Sequence, residues 1–452
     1  MATDAACGRL RREPERTVLH ALVRNHLETF LTDSRDRSPE GSGWPSFVEA
    51  EFRRYLDCGI LANGFARVHC GDCGNDLLVA FSCKRRGFCP SCNARRMHDT
   101  AAHLVDRVIP RVPVRQWVLS LPRWARWMLA RDAALASRAL SLALRAIFAD
   151  YRRRAGHKGR CGAITFVQRF GSALNLNVHF HCVVPDGVFL EDGSLAAAPP
   201  RTDEEIQAVL ALIVRRLLRL LEPLRTASNA APDALDLEYA ASVRALPKAP
   251  ADPMLPKKRT AFLDGFSLHA GVHLHANDRE GVEHLCCYGA RGPLSLQRLS
   301  LTADGQVCYC MKRPMHGGKT VLLLTPTEFL RKLATLVPPP RGHLVRFHGV
   351  FAPHSSFRRK VIPVPEADAA SAGPATPPQK PPSRIPWAEL FKRVFKEDVL
   401  RCAKCGGAMQ VIAFVKDHEQ VRKILDHLGL PSTGPPVAKA RRPPDPDFDY
   451  VA

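Results

Sequence analysis

The pair His179-x-His181 lies inside Asn175-Leu176-Asn177-Val178-His179-Phe180-His181-Cys182-Val183-Val184, a run with strand character. Strand side chains alternate between faces, so His179 and His181 point one way and Phe180 and Cys182 the other. Two imidazoles on one strand face can hold a divalent cation. With a tyrosine hydroxyl beside it, such a cation supplies what a metal-assisted DNA nickase needs: a Lewis acid and a nucleophile. The competing reading is a half-buried strand whose histidines are satisfied by neighbours. His273-Leu274-His275 is a second His-x-His on an expected strand; the apolar flanks and the Asp186-Gly187 turn favour the first pair.

Six tyrosines compete for the hydroxyl: Tyr55, Tyr151, Tyr239, Tyr288, Tyr309 and Tyr450. Tyr55 precedes a cysteine-rich block and Tyr450 falls in the tail. Tyr239 follows Asp233, Asp236 and Glu238, a poor place for a polyanion. Tyr309 sits in Cys308-Tyr309-Cys310 and reads as packing. Tyr151 precedes Arg152-Arg153-Arg154, a credible phosphate contact. Tyr288 comes near the end of a helix with Asn277 expected as N-cap and Glu280 completing a capping box. Gly289-Ala290-Arg291-Gly292-Pro293 follows, a basic turn where a phosphate can sit, so Tyr288 is preferred.

The cysteines suggest metal rather than a disulfide framework, because nothing marks the chain for an oxidising compartment. Cys70-x2-Cys73 and Cys89-x2-Cys92 are separated by 15 residues, a zinc-ribbon or treble-clef spacing. One structural Zn²⁺ on Cys70, Cys73, Cys89 and Cys92 is therefore expected, with Cys83 between them as a substitute ligand. Lys84, Arg85, Arg86, Arg95 and Arg96 form a basic collar suited to phosphates. Cys402-x2-Cys405 is a further knuckle with no second pair in sight; His418 and His427 are the later candidates for a second zinc. Cys286-Cys287 and Cys308-x-Cys310 lack knuckle spacing and read as packing residues.

Lys and Arg total 65 against 44 Asp and Glu, a formal charge of +21. An excess carried mostly by arginine favours a phosphate-rich partner over an acidic one. The N-terminus carries no signal-peptide pattern, and no 18-residue stretch is uninterruptedly apolar. The expectation is a cytoplasmic protein without a membrane partner.

The elements that must position these residues follow from periodicity. Helices are expected at 16–32, 46–58, 97–109, 123–152, 203–227 and 327–336. Strands are expected at 116–121, 161–169, 175–184, 266–275, 297–303, 306–312 and 319–325. Alternating helices and short strands indicate an α+β fold. The divisions read as a disordered N-terminus at 1–15, a zinc-binding domain at 16–105 and a catalytic domain at 106–361. A Pro-rich linker follows at 362–386, then a Cys-knuckle module at 387–432 and a disordered tail at 433–452.

In combination these motifs resemble a known family. His179-Phe180-His181-Cys182-Val183-Val184-Pro185-Asp186-Gly187-Val188, Phe166-Val167-Gln168-Arg169-Phe170-Gly171-Ser172 before it, and Arg115-Gln116-Trp117-Val118-Leu119-Ser120-Leu121-Pro122 are similar to the HUH signature of rolling-circle transposases of the insertion-sequence-ninety-one type. The cysteine block resembles the family's N-terminal zinc-binding domain, and Cys287-Tyr288-Gly289-Ala290-Arg291-Gly292-Pro293-Leu294 its nucleophile segment. The likeness runs from about 16 to 432. It implies an HUH-type antiparallel sheet with flanking helices, His179 and His181 on a catalytic Mg²⁺ or Mn²⁺, and Tyr288 attacking single-stranded DNA. A bacterial, nucleoid-associated enzyme acting on element ends and target DNA is implied, with self-association left open. His284 stands where many relatives carry a second tyrosine, so the single-tyrosine, common-region-like branch is the nearer match. Gln168, Glu283 and His284 are the candidates for a third metal ligand. A plasmid replication initiator or relaxase shares the chemistry, although no Gly-x4-Gly-Lys-Ser/Thr helicase motif is present. A non-catalytic zinc-dependent DNA-binding regulator is the alternative of a different class.

The charge carries a direct expectation. Affinity for single-stranded DNA falls steeply with salt, with a log–log slope of about −0.7 per phosphate contact. Fluorescence anisotropy over a salt series measures it, and a flat dependence would mean the positive charge is surface decoration.

Overall fold

The computed structural model describes residues 12–38, 41–226, 234–244, 258–312, 314, 318–363, 386–395, 398 and 400–441. The linker expected at 362–386 and most of the tail lie almost wholly outside these residues. In chain order come α1 (Val18–Arg37), α2 (Ser46–Leu56), β1 (Phe65–Cys70), β2 (Asp76–Ala80), α3 (Pro90–Arg107) and β3 (Val114–Ser120). Next are α4 (Arg123–Arg131), α5 (Ala133–Ala155), β4 (Gly162–Phe170), β5 (Leu176–Pro185), β6 (Gly187–Phe189), β7 (Leu195–Ala197), α6 (Asp203–Thr226) and α7 (Ala234–Arg244). Then follow β8 (Thr260–Leu263), β9 (Phe266–Leu274), α8 (Arg279–Ala290), β10 (Leu299–Leu301), β11 (Val307–Cys310), β12 (Val321–Leu324) and α9 (Pro326–Leu336). The described chain closes with β13 (Val345–Gly349), α10 (Arg358–Val361), α11 (Trp387–Phe395), β14 (Met409–Val415) and α12 (His418–His427). The fold is mixed helix and sheet, α+β. No described helix is long and apolar enough to cross a membrane.

Two compact units share the chain: residues 1–93, 294–337 and 386–452 form one, and 94–293 with 338–385 the other. They cut across the expected divisions. The cysteine module at the end of the chain is not separate, because β14 pairs antiparallel with β1 from Phe65↔Val415 to Cys70↔Met409. This completes the sheet β14-β1-β2 of the first unit. Leu61, Phe65, Val415, Val421 and Leu425 pack beneath it.

The second unit is built on a six-stranded sheet of order β13-β4-β5-β3-β9-β8. Every pairing in it is antiparallel. β5 lies inside the sheet, between β4 and β3. Its Phe180, Cys182 and Val184 face one way, into a core shared with Trp117, Leu140, Ile147 and Leu210. The opposite face packs Ile164, Phe166 and Val183 against α3 and α8 through Leu104, Val108, Val282 and Cys286. The periodicity over 123–152 suggested one helix; the chain breaks at Asp132. Its carboxylate accepts from the N–H of Ala134 at 2.7 Å and Leu135 at 2.9 Å, starting α5 anew.

Under the first of these faces lies a buried ionic knot at the Asp186 turn. Arg115 donates to Asp186 through Nε at 3.1 Å and Nη2 at 2.6 Å, and Arg201 through Nη1 at 3.2 Å. Tyr151 Oη donates to it at 2.9 Å and receives Trp117 Nε1 at 3.2 Å. Burial alone would raise the Asp186 carboxyl; the Arg115 hydrogen bonds override it and hold the group below the usual carboxylate range. Asp186→Ala takes the carboxylate from the buried Arg115 guanidinium, while Arg201 keeps Asp150 at 2.8 Å, and is expected to cost about 3–5 kcal/mol in chemical denaturation. Since the folded carboxyl titrates below its unfolded value, its stabilisation is complete above about pH 5 and is lost only as pH falls below about 4. A substitution cost under about 1 kcal/mol, the level of an exposed pair, would contradict this.

Candidate active site and cysteine centres

Alternation along β5 places His179 and His181 on the face that packs against α8. His179 is the ladder partner of Gln168 on β4 and of Ser120 on β3; His181 is the partner of Phe166 and Val118. Their rings lie 4.9 Å apart between centroids. His179 Nδ1 is 2.8 Å from the Asn177 carbonyl, so it carries the proton and leaves Nε2 as the free lone pair. His181 Nδ1 lies 3.2 Å from the Gln116 side-chain amide. As placed, Gln116 Nε2 donates to Nδ1; with that amide turned over, its oxygen would accept Nδ1–H and leave Nε2 a free lone pair. His181 Nε2 is buried with no hydrogen-bond partner. Burial pushes the two imidazoles down, His179 to about 4 and His181 to about 3, so both are neutral at physiological pH.

Gln168 joins this strand face to α8. Its Nε2 donates to the carbonyls of Tyr288 at 2.8 Å and Gly289 at 2.9 Å, among the last carbonyls of α8, which a helix leaves unpaired. Its Oε1 is buried and has no partner. Two imidazole nitrogens and an amide oxygen make a donor set suited to Mg²⁺ or Mn²⁺. The bare His181 Nε2 and Gln168 Oε1 show that these residues fit a cation. Of the other third-ligand candidates, His284 is exposed and Glu283 is half-buried on α8.

Tyr288 is brought to this place. Its ring centroid is 5.6 Å from that of His181. Among the described tyrosines it alone is exposed, at 39%, against 0–3% for Tyr55, Tyr151, Tyr239 and Tyr309. Tyr151, the runner-up by sequence, is spent in the Asp186 knot. The Arg291 guanidinium lies 4.1 Å from the Tyr288 ring centroid, and its Nη2 is 3.3 Å from Tyr288 Oη. Arg126 on α4 adds positive potential at His179, a contribution sequence reasoning missed. The N-cap of α8 is Asp278, not Asn277: Asp278 accepts the Gly281 N–H at 2.8 Å, while the Asn277 N–H turns to His275 Nδ1 at 3.4 Å. His273 does not join His179 and His181. It is the ladder partner of Arg115 and its Nε2 lies 3.3 Å from Asp186, in the knot under the other face.

The cysteines differ from the expected set. Cys70, Cys73, Cys89 and Cys92 do not converge. Cys89 and Cys92 meet Cys83 and Cys58, and Cys70 and Cys73 meet Cys402 and Cys405. Nearest knuckles in sequence are not nearest in space: β1 and β2 carry Cys70 and Cys73 to β14, while the 81–92 loop turns back to Cys58 at the end of α2. The first set has Sγ–Sγ distances of 3.4 Å for Cys83–Cys92 and 3.6 Å for Cys58–Cys92 and Cys58–Cys89. A tetrahedral zinc with sulfur at about 2.3 Å sets its thiolates about 3.8 Å apart, so this set fits structural zinc. Buried Glu51 accepts the Gly87 N–H at 2.7 Å and shapes the loop. His418 and His427 take no part in either set. Cys286 is buried as packing, but Cys310 is exposed. Lys84 and Arg95 are exposed, with Arg85, Arg86 and Arg96 half-buried near them in sequence.

Gly289 is the tightest point of the site. A Cβ there would lie 2.4 Å from Phe166 Cδ2, on a ring that is 1% exposed. Gly289→Ala is expected to lift α8 from β4 and cost about 1–3 kcal/mol in thermal unfolding. Unchanged stability would mean that α8 is not seated through Gly289.

Two family models match the chain. Residues 162–359 match a family model described as "Putative transposase", and residues 23–121 match one described as "Transposase zinc-binding domain". The first span holds Gln168, His179, His181, Tyr288 and Arg291; the second holds Cys58, Cys83, Cys89 and Cys92. A protein of Sinorhizobium fredii (strain NBRC 101917 / NGR234) named "Putative transposase y4qJ" is 29% identical over 304 residues, covering 65% of this chain and 71% of its own length. No solved structure matches the chain. With both family models matched in order along it, the chain is similar to transposases of the insertion-sequence-ninety-one family.

Proposed function

We propose that this transposase nicks and rejoins single-stranded DNA through a 5′-phosphotyrosine on Tyr288, mobilising an insertion sequence by rolling-circle-type transposition. The observation that carries the reading is the meeting of one exposed tyrosine with half-buried His179 and buried His181, whose Nε2 has no partner. His179, His181 and Gln168 Oε1 would hold Mg²⁺ or Mn²⁺, which supplies charge neutralisation at the scissile phosphate and the leaving 3′-oxygen. Tyr288 Oη attacks phosphorus, the P–O3′ bond breaks, and the strand is left with a free 3′-OH. Arg291, whose Nη2 lies 3.3 Å from Tyr288 Oη, meets the incoming phosphate. The tyrosyl ester keeps the phosphodiester energy, so a second 3′-OH reseals the strand by the reverse displacement without ATP. The basic collar and the structural zinc serve the grip on DNA.

Tyr288→Phe keeps the ring beside His181 and Arg291 and removes the attacking oxygen. It is expected to abolish nicking and the covalent protein–DNA adduct while single-strand binding stays within about twofold. His179→Ala and His181→Ala are expected to lose nicking as completely; replacing His273 and His275 is not. Denaturing gels of the adduct on an oligonucleotide carrying an element end, with peptide mapping, read the outcome. An adduct on another tyrosine, or nicking that survives Tyr288→Phe, would overturn the assignment.

A further inference from the structure

We propose that Cys70, Cys73, Cys402 and Cys405 form a second zinc centre, a clasp that fastens the late knuckle of the chain to the early one. It makes the segment around 400–415 a structural part of the N-terminal zinc-binding module. The matched zinc-binding family model ends at residue 121 and so reaches only one half of this ligand set.

The two knuckles are conformational twins. In Cys70-Gly71-Asp72-Cys73-Gly74-Asn75 the Gly74 N–H donates to the Cys70 carbonyl at 3.0 Å, and the Cys70 N–H to the Asn75 carbonyl at 2.9 Å. In Cys402-Ala403-Lys404-Cys405-Gly406-Gly407 the Gly406 N–H donates to the Cys402 carbonyl at 2.9 Å, and the Cys402 N–H to the Gly407 carbonyl at 2.8 Å. Both glycines after the second cysteine are left-handed, Gly74 at φ +70° and Gly406 at φ +76°. Each turn presents two sulfurs to one side, and the two turns face each other. Cys70 and Cys405 Sγ atoms are 3.5 Å apart, as are those of Cys73 and Cys402. That is far beyond a disulfide bond of about 2.05 Å and near the edge of a tetrahedral Zn–S₄ centre.

Independent contacts bring the turns together. Cys70 and Cys402 are buried in one cluster with Val68 and Met409. Gly407 leaves no room for a side chain, since a Cβ there would lie 2.0 Å from Asp72 Oδ2. The ligands joined are 329 and 335 residues apart in the chain, so the centre closes a very long loop. It is also the more open of the two. Cys73 and Cys405 are exposed, whereas Cys58, Cys89 and Cys92 are buried and Cys83 is half-buried. The clasp is therefore the zinc that competing chelators and oxidants reach first, and its release frees the late knuckle and β14 from β1. This inference stands apart from the chemistry at Tyr288.

Native mass spectrometry and elemental analysis of the full chain test it. The wild type is expected to carry two zinc ions. Cys402→Ser with Cys405→Ser is expected to carry one, Cys70→Ser with Cys73→Ser one, and all four together still one. The retained zinc on the Cys58 set reports that the variants are folded. Should a variant lose both metals through misfolding, the wild type alone decides: stepwise chelation followed by alkylation mapping is expected to label Cys70, Cys73, Cys402 and Cys405 together, with the first zinc released. Labelling of Cys70 and Cys73 together with Cys89 and Cys92, a single zinc per wild-type chain, or a mass showing Cys70–Cys405 and Cys73–Cys402 disulfides would overturn the proposal.

Discussion

The Gln168 side chain is the constraint on which the site depends. One amide group faces two ways. Its nitrogen satisfies two terminal carbonyls of α8, at Tyr288 and Gly289, and its oxygen is buried without a partner, on the residue paired with His179 in the ladder. A buried acceptor without a partner costs about 1–3 kcal/mol, so the bare oxygen calls for a ligand. The helix bearing the hydroxyl and the strand bearing the imidazoles are thus linked through one residue. Gly289 permits the link, because any side chain there would strike Phe166.

The sheet separates structural from chemical work by face. One face of β5 is apolar and sits over the Asp186 knot, where arginines, an aspartate and Tyr151 satisfy one another away from solvent. Those charges are hydrogen-bonded to one another and hold the turn that ends β5. The other face carries neutral imidazoles, a bare amide oxygen and an exposed phenol, groups with capacity left over. Burial keeps the histidines unprotonated, and Arg291 supplies positive charge beside the phenol.

Much of this was legible in the sequence, for physical reasons that can be named. Strand alternation alone places His179 and His181 together and opposite Phe180, because period two is rigid. Tyr288 emerges by asking what surrounds each tyrosine, and the burial of Tyr55, Tyr151, Tyr239 and Tyr309 agrees with that choice. The α8 cap was misread by one residue because Asn277 and Asp278 both offer a capping oxygen, and only the turn geometry chooses. The break before α5 was hidden by continuous apolar periodicity across Asp132. The zinc partners were misassigned because spacing suggests the nearer knuckle, whereas ligand sets are chosen by the sheet that carries them. The repeated Cys-x2-Cys-Gly pattern at 70–74 and 402–406 was the available signal, since it encodes the same turn twice. Gln116 and Arg126 could not be found at all, as nothing in their local sequence marks the contact of the one with His181 or the charge of the other at His179.

The central claim is that Gln168, His179 and His181 hold one cation facing Tyr288. Anomalous diffraction from crystals of the full chain soaked in Mn²⁺ tests it most directly. The account predicts a single strong manganese peak within bonding distance of His179 Nε2, His181 Nε2 and Gln168 Oε1, on the side of the strand where the Tyr288 hydroxyl lies. A peak at His273 and His275, or none beside His179 and His181 at saturating metal, would contradict it.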